Sequence, residues 1–251
     1  MFSKPIPVWI YAGGAALAVV AGTVNAVGFL SVHHQALTHM SGTATLLGIG
    51  LAHGDASGAR HALLVLVFFF LGCVLSGLII RQSTLRVGRR YGFALTCEAG
   101  LLFGAAYFFR HQSFSGAYLA TMACGLQNAM ATSYSGAVIR TTHITGIVTD
   151  LGIALGLAAR RERVDWRRLR LYCMLLGGFF IGGILGAIGF AHWGHETLLI
   201  PATASALIGV GYTWIKHAER RRQRSHPHPS PVLPAVTASP VEKSVRVTRA
   251  R

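Results

Sequence analysis

The sequence predicts an all-α, polytopic membrane protein of about six transmembrane helices, built as a 3+3 inverted repeat with two re-entrant half-helices. Three observations lead there: an apolar and charge-poor composition, basic clusters that gather on one side of a bilayer, and a polar motif written twice. Of 251 residues, 52% are hydrophobic and only 12% charged, although the net charge is +15. A soluble domain carries about a quarter charged residues, so this composition suits lipid instead.

A hydrocarbon core of about 30 Å takes roughly 20 apolar residues in helical form. Segments at 8–32, 61–80, 92–109, 116–134, 171–190 and 197–215 approach that length with one charge or none inside each. Lys4 ahead of the first lends it the look of a signal peptide, but the repeat described below includes Gly22 and Asn25. It is therefore read as a retained first helix. Cys73, Cys97, Cys124 and Cys173 lie far apart within these segments, which suits small packing residues rather than disulfides or a metal site. Two further stretches, 37–52 and 141–158, are polar at their starts: LTHMSGTATLLG and RTTHITGIVTDLG.

Whether those stretches cross is decided by charge and repetition together. Short loops rich in Lys and Arg stay in the cytoplasm. Arg81, Arg86, Arg89 and Arg90 form one cluster, Arg160, Arg161, Arg163, Arg167, Arg168 and Arg170 a second, and the chain after Trp214 a third. If both polar stretches crossed, the first cluster would fall opposite the other two. If neither crosses, all three lie with the amino terminus. A crossing by the first stretch alone also keeps the clusters together, so the repeat must choose.

GTVNAVGFL from Gly22 aligns with GLQNAMATS from Gly125, and His39-Met40-Ser41-Gly42 with His143-Ile144-Thr145-Gly146. FFLGCVLSG at 69–77 aligns with FFIGGILGA at 179–187, and Gly104 and Tyr107 with Gly209 and Tyr212. All shifts lie near about 105 residues, the mark of a duplicated unit. Equivalent segments should behave alike, so both polar stretches turn back. Each unit then has three crossings, an odd number, which inverts the second against the first. Residues 1–110 form the first membrane repeat, 111–215 the second, and 216–251 a disordered basic cytoplasmic tail.

The dimensions allow re-entry. An extended chain from His33 to His39 reaches about 23 Å and a helix from Met40 to Ala52 rises about 20 Å, both beyond a half-thickness of about 15 Å. Ser41 and Thr145 are expected at helix starts with hydroxyls able to cap free N–H groups, while Gly42 and Gly146 permit close backbone approach. Two amino ends meeting from opposite leaflets offer donors and positive dipole ends to an anion or polar acceptor.

Around those ends the substrate-binding candidates are Asn25, His39, Ser41, Gly42, Asn128, Arg140, His143, Thr145 and Gly146. Arg140 either pairs an anion at the midplane or snorkels to headgroups. His39 and His143 either line the site and relay protons or are held by backbone carbonyls. Asn25 and Asn128 are either solute ligands or ordinary interhelical hydrogen bonds. Glu98 and Asp150 are ionisable groups inside apolar stretches and are the candidates for proton coupling, although the repeat places Thr203 and Leu46 at their matched positions.

Other chemistry finds little support. His33 and His34 near His39 lack an accompanying carboxylate or cysteine, so no metal is expected. There is no Walker loop, HExxH or GxSxG, so no catalytic residue and no cofactor are assigned. Gly72, Ser76 and Gly77, with Gly182, Gly183 and Gly186, form small-residue faces for close helix packing. The tail mixes Arg220–Arg222 and Arg224 with repeated prolines, a disordered composition. Beside a membrane it points to anionic lipid rather than nucleic acid.

The motifs GTVNAVGFL, HMSGTATLLGIGLAHGD, GLQNA and RTTHITGIVTDLG resemble those of the YoaK-like bacterial inner-membrane proteins, a domain family of unknown function, over roughly residues 10–215. That resemblance implies a polytopic protein of the bacterial inner membrane and supplies no substrate or reaction. The family usually carries an acidic residue where Asn25 stands and often Asn where Ala44 stands. The reading that follows is a small permease or channel for a small polar or anionic solute, with both termini cytoplasmic, embedded in the lipid bilayer and open to homo-oligomerisation. The alternatives are an intramembrane enzyme using His39 and His143, or a noncatalytic lipid-binding or assembly protein.

Overall fold

Apolar runs of this length fold as helices because lipid leaves the backbone no other partner for its own N–H and C=O groups. The computed structural model of the chain describes residues 8–31, 37–80, 89–135 and 141–225. Contacts divide the chain into Met1–His217 and Ala218–Arg251, and the site belongs to the first unit. Among the described residues there are eight α-helices: α1 (Val8–Leu30), α2 (Met40–Ala52), α3 (Ala56–Ile79), α4 (Arg89–Arg110), α5 (Ser115–Ser135), α6 (Ile144–Ala159), α7 (Trp166–Trp193) and α8 (Leu199–Ser225). A 3-10 turn, Gly194–Leu198, joins α7 to α8.

Each segment expected to cross is helical, with boundaries that differ for local reasons. α3 starts at Ala56 rather than 61 because Asp55 accepts the Gly58 N–H at 3.0 Å. α7 starts at Trp166 rather than 171 because Asp165 accepts from the N–H groups of Arg167 and Arg168 at 3.1 and 3.2 Å. Both carboxylates satisfy first-turn donors that have no helical acceptor. A search for apolar runs drops these polar first turns. At the other end α8 continues past 215 to Ser225, since arginine favours helix and no proline intervenes before Pro227. The Pro-rich part of the tail lies outside the described residues.

Among the described residues, four stretches are long and apolar enough to cross a membrane: Tyr11–Leu30, Ala56–Ile79, Arg90–Arg110 and Trp166–Trp214, the last containing α7, the 3-10 turn and most of α8. α5 has 21 residues but carries Thr121, Gln127, Asn128 and Thr132 and is more polar. α2 has 13 residues and α6 has 16. At 1.5 Å per residue they measure about 20 and 24 Å, short of a core of about 30 Å.

Two close crossings organise the first unit. α1 lies along α7, and α3 lies along α5. A Cβ on Gly22 would overlap the carbonyl oxygen of Phe179, and one on Gly182 that of Val19; a Cβ on Gly125 would overlap the carbonyl of Phe69, and one on Gly72 that of Met122. Residues aligned by the expected repeat thus do the same thing in both crossings, where only glycine allows the backbones to approach so closely. Thr23 donates to the Gly182 carbonyl at 3.0 Å, and Cys73 donates to that of Gly125 at 3.3 Å. Gln127 Nε2 donates to the Leu17 carbonyl at 2.9 Å, tying α5 to α1.

α4 packs along α5 and meets α8 at a third glycine contact, where a Cβ on Gly209 would stand 2.7 Å from the Gly92 carbonyl. Leu102, Ala105, Ala120, Cys124, Leu198 and Ala202 fill the space between these elements. Phe70, Leu78, Phe180, Leu185, Leu207 and Val210 are exposed, an apolar exterior suited to acyl chains.

Candidate functional site

The two short helices begin alike. His39 is the N-cap of α2 and His143 that of α6, and neither side chain caps its helix. The first helical bonds run from Thr43 N–H to the His39 carbonyl and from Ile147 N–H to the His143 carbonyl, each 3.1 Å. The N–H groups of Met40, Ser41 and Gly42, and of Ile144, Thr145 and Gly146, therefore have no acceptor within their helix. Ser41 and Thr145 do not take the capping position expected for them. Each is the second residue of its helix, so its contribution to the site is a free backbone donor together with its hydroxyl.

Both amino ends open on one cavity of about 650 Å³, lined by Thr38, His39, Met40 and Ser41 from the α2 end and Thr142, His143, Ile144 and Thr145 from the α6 end. Phe69 and Cys73 of α3 and Asn128, Ala129, Thr132 and Ser133 of α5 complete the wall. The lining holds hydroxyls, two imidazoles and a carboxamide, and no carboxylate. With two positive helix ends, that combination favours an anion or a solute rich in hydrogen-bond acceptors.

The histidines differ in setting. The His39 ring meets Phe179 edge-on, with centroids 6.5 Å apart and planes at 64°. The His143 ring folds back over its own first turn, into the space a side chain on Gly146 would occupy, whereas Gly42 faces open space. Gly146 is thus needed for this ring position and Gly42 is not.

The asparagines differ more. Asn25 Oδ1 accepts from Thr38 N–H at 3.2 Å and from the Thr38 hydroxyl at 2.9 Å, and Asn25 does not line the cavity. Asn128 does line it, and its Oδ1 is buried without a partner. Thr38 and Thr142 were not among the residues singled out by sequence reasoning. Their signal was present, since each precedes a matched histidine at the same shift.

The acids lie elsewhere. Glu98 is 1% exposed inside α4, near Cys124 of α5, and Ser205 of α8 turns its hydroxyl toward the carboxyl without closing a hydrogen bond of ordinary length. Asp150 is exposed on α6 beside Tyr172. Neither lines the cavity. Arg140, His33 and His34 fall outside the described residues. Among those described, no three His, Cys, Asp or Glu side chains are placed to hold a metal, and all four cysteines are free.

Residues 13–211 match the family described as protein of unknown function (DUF1275). The chain belongs to the DUF1275 family. It is also 25% identical over 196 residues to the UPF0700 transmembrane protein YoaK of Bacillus subtilis (strain 168), a match covering 74% of this chain and 86% of the relative. No solved structure matches. The matched DUF1275 region contains both short helices, both close crossings and the whole cavity lining. With its long apolar helices, this DUF1275 protein is a multi-pass membrane protein embedded in the lipid bilayer.

Proposed function

We propose that this DUF1275 protein is a small permease or channel for a small polar or anionic solute, bound near the bilayer midplane between two repeats. In this reading α1, α3 and α4 form the first inverted unit and α5, α7 and α8 the second, with α2 and α6 re-entrant from opposite faces. The observation that carries it is that two short helices both present their amino ends to one cavity of about 650 Å³ whose wall holds hydroxyl, imidazole and carboxamide groups. The equivalent glycine crossings support the duplication. Helix ends of this kind serve as solute sites in inverted-repeat transporters.

His39, Ser41, Asn128, His143 and Thr145 contact the solute, and the backbones at Gly42 and Gly146 add donors. Glu98, buried away from the cavity, and Asp150, on α6, are the groups available to couple proton movement. Arg140 supplies a positive charge ahead of α6. The basic clusters support a reading with both termini on the cytoplasmic side of the bacterial inner membrane and the tail on anionic lipid.

Single cysteines at Ser41 and Thr145, in a variant whose four native cysteines are alanine, test this with a membrane-impermeant maleimide on vesicles of either orientation. A permease or channel exposes both positions to reagent from both faces over its cycle. Labelling of both from one face alone describes a one-sided chamber, as an enzyme would have, and labelling from neither describes a scaffold. Either result sinks the proposal.

A further inference from the structure

Asn25 and Asn128 align in the repeat, and so do Thr38 and Thr142, yet the two pairs are in different states. In the first, Asn25 Oδ1 accepts both donors of Thr38, at 3.2 and 2.9 Å. In the second, Asn128 Oδ1 is buried and unpartnered, and both Asn128 and Thr142 face the cavity. We propose that these pairs are alternating latches on the two short helices, the first closed and the second open, and that their exchange controls access to the cavity.

The inference rests on the cavity being a solute site. Each threonine stands immediately before the N-cap of a short helix, so an Asn–Thr bond fixes the start of that helix against the long helix bearing the asparagine. Closing the second pair would draw the start of α6 onto α5 and narrow the cavity between two of its own lining residues. The rest of each short helix agrees with its latch. α2 buries Thr43 and Gly50, and a Cβ on Gly50 would stand 2.9 Å from the Ala59 nitrogen. α6 buries Ile147, while Gly152 and Gly156 face open space.

A buried carbonyl without a donor is unfavourable, so the open state has a drive toward closure.

The test is cross-linking of Asn128→Cys with Thr142→Cys in the variant lacking native cysteines, with copper phenanthroline as oxidant and membranes containing the full chain. Alternation predicts that the disulfide forms, and that Asn25→Ala speeds it by about fivefold, the weight of roughly one net hydrogen bond. Asn25→Asp, which keeps an acceptor, should leave the rate near that of the parent. Thr38→Val provides a second way to open the first latch if Asn25→Ala does not fold. A pair that never cross-links, or one whose rate ignores both substitutions, overturns the latch. The maleimide labelling of positions 41 and 145 judges the site independently: labelling from both faces with no coupling defeats the latch alone, and labelling from one face defeats the site whatever the disulfide does.

Discussion

The two short helices share a motif and a cap but not an attachment. α2 is fastened at its start by Thr38 on Asn25 and further along by Gly50 against Ala59. α6 has neither fastening, because Asn128 Oδ1 is unpartnered and Gly152 and Gly156 face open space. The long helices beneath them do not differ in this way, since the α1–α7 and α3–α5 crossings use aligned glycines against aligned carbonyls. The two crossings are thus alike, while the starts of the two short helices stand in unlike states.

The largest expected effect bears on the frame. Gly22→Ala and Gly125→Ala each drive a methyl into a carbonyl of the crossing helix and should cost about 3 kcal/mol, the upper range for overpacking, read as unfolding in mixed micelles. The two losses should be similar; a large loss at one and none at the other would break the equivalence of the crossings. The next effect separates the short helices. Gly50→Ala should destabilise by about 1–2 kcal/mol, whereas Gly152→Ala, with room for its methyl, should stabilise by roughly 0.5–1 kcal/mol. If both lower stability, α6 is packed as tightly as α2.

The smallest effects concern the matched caps. Asp165→Ala should cost about 1 kcal/mol. Asp55 is fully exposed, and the Gly58 N–H, aided by the Ser57 hydroxyl, holds its carboxyl below the ordinary aspartate value of 3.8. A lowered value in the folded state means that its contribution is complete above the ordinary value and disappears as pH falls through the lowered one. Amide protection in the first turn of α3, corrected for the intrinsic exchange rate at each pH, should therefore fall on acidification below about pH 4, and Asp55→Asn should remove that dependence. An unchanged profile in the variant would show that Asp55 does not govern this turn.

Much of this was legible beforehand, because apolar runs and a tandem motif are one-dimensional signals. The six long segments, the two short ones and the matched starts at His39 and His143 all follow from them. What escaped depended on contact or on polar detail. Asp55 and Asp165 extend α3 and α7 by a turn, and a search for apolar residues steps over both. Ser41 and Thr145 resemble caps by residue type, yet the histidines before them take that position. Asn25 and Asn128 are the same letter at matched positions, and only hydrogen-bond geometry separates an occupied carboxamide from an unoccupied one. Glu98 and Asp150 read alike as acids in apolar sequence, but one is buried near Cys124 and the other is exposed on α6.

Gln127 joins the two helices that bear those asparagines, through its amide on the Leu17 carbonyl. α1 and α5 are thereby joined, and each is also locked by glycine to a second long helix. The 13 residues of α2 pack on α3 and the 16 of α6 touch α7, outside that joined pair. In the cycle proposed above, these two short helices swing against a joined pair of long ones, and the surrounding lipid has little to accommodate.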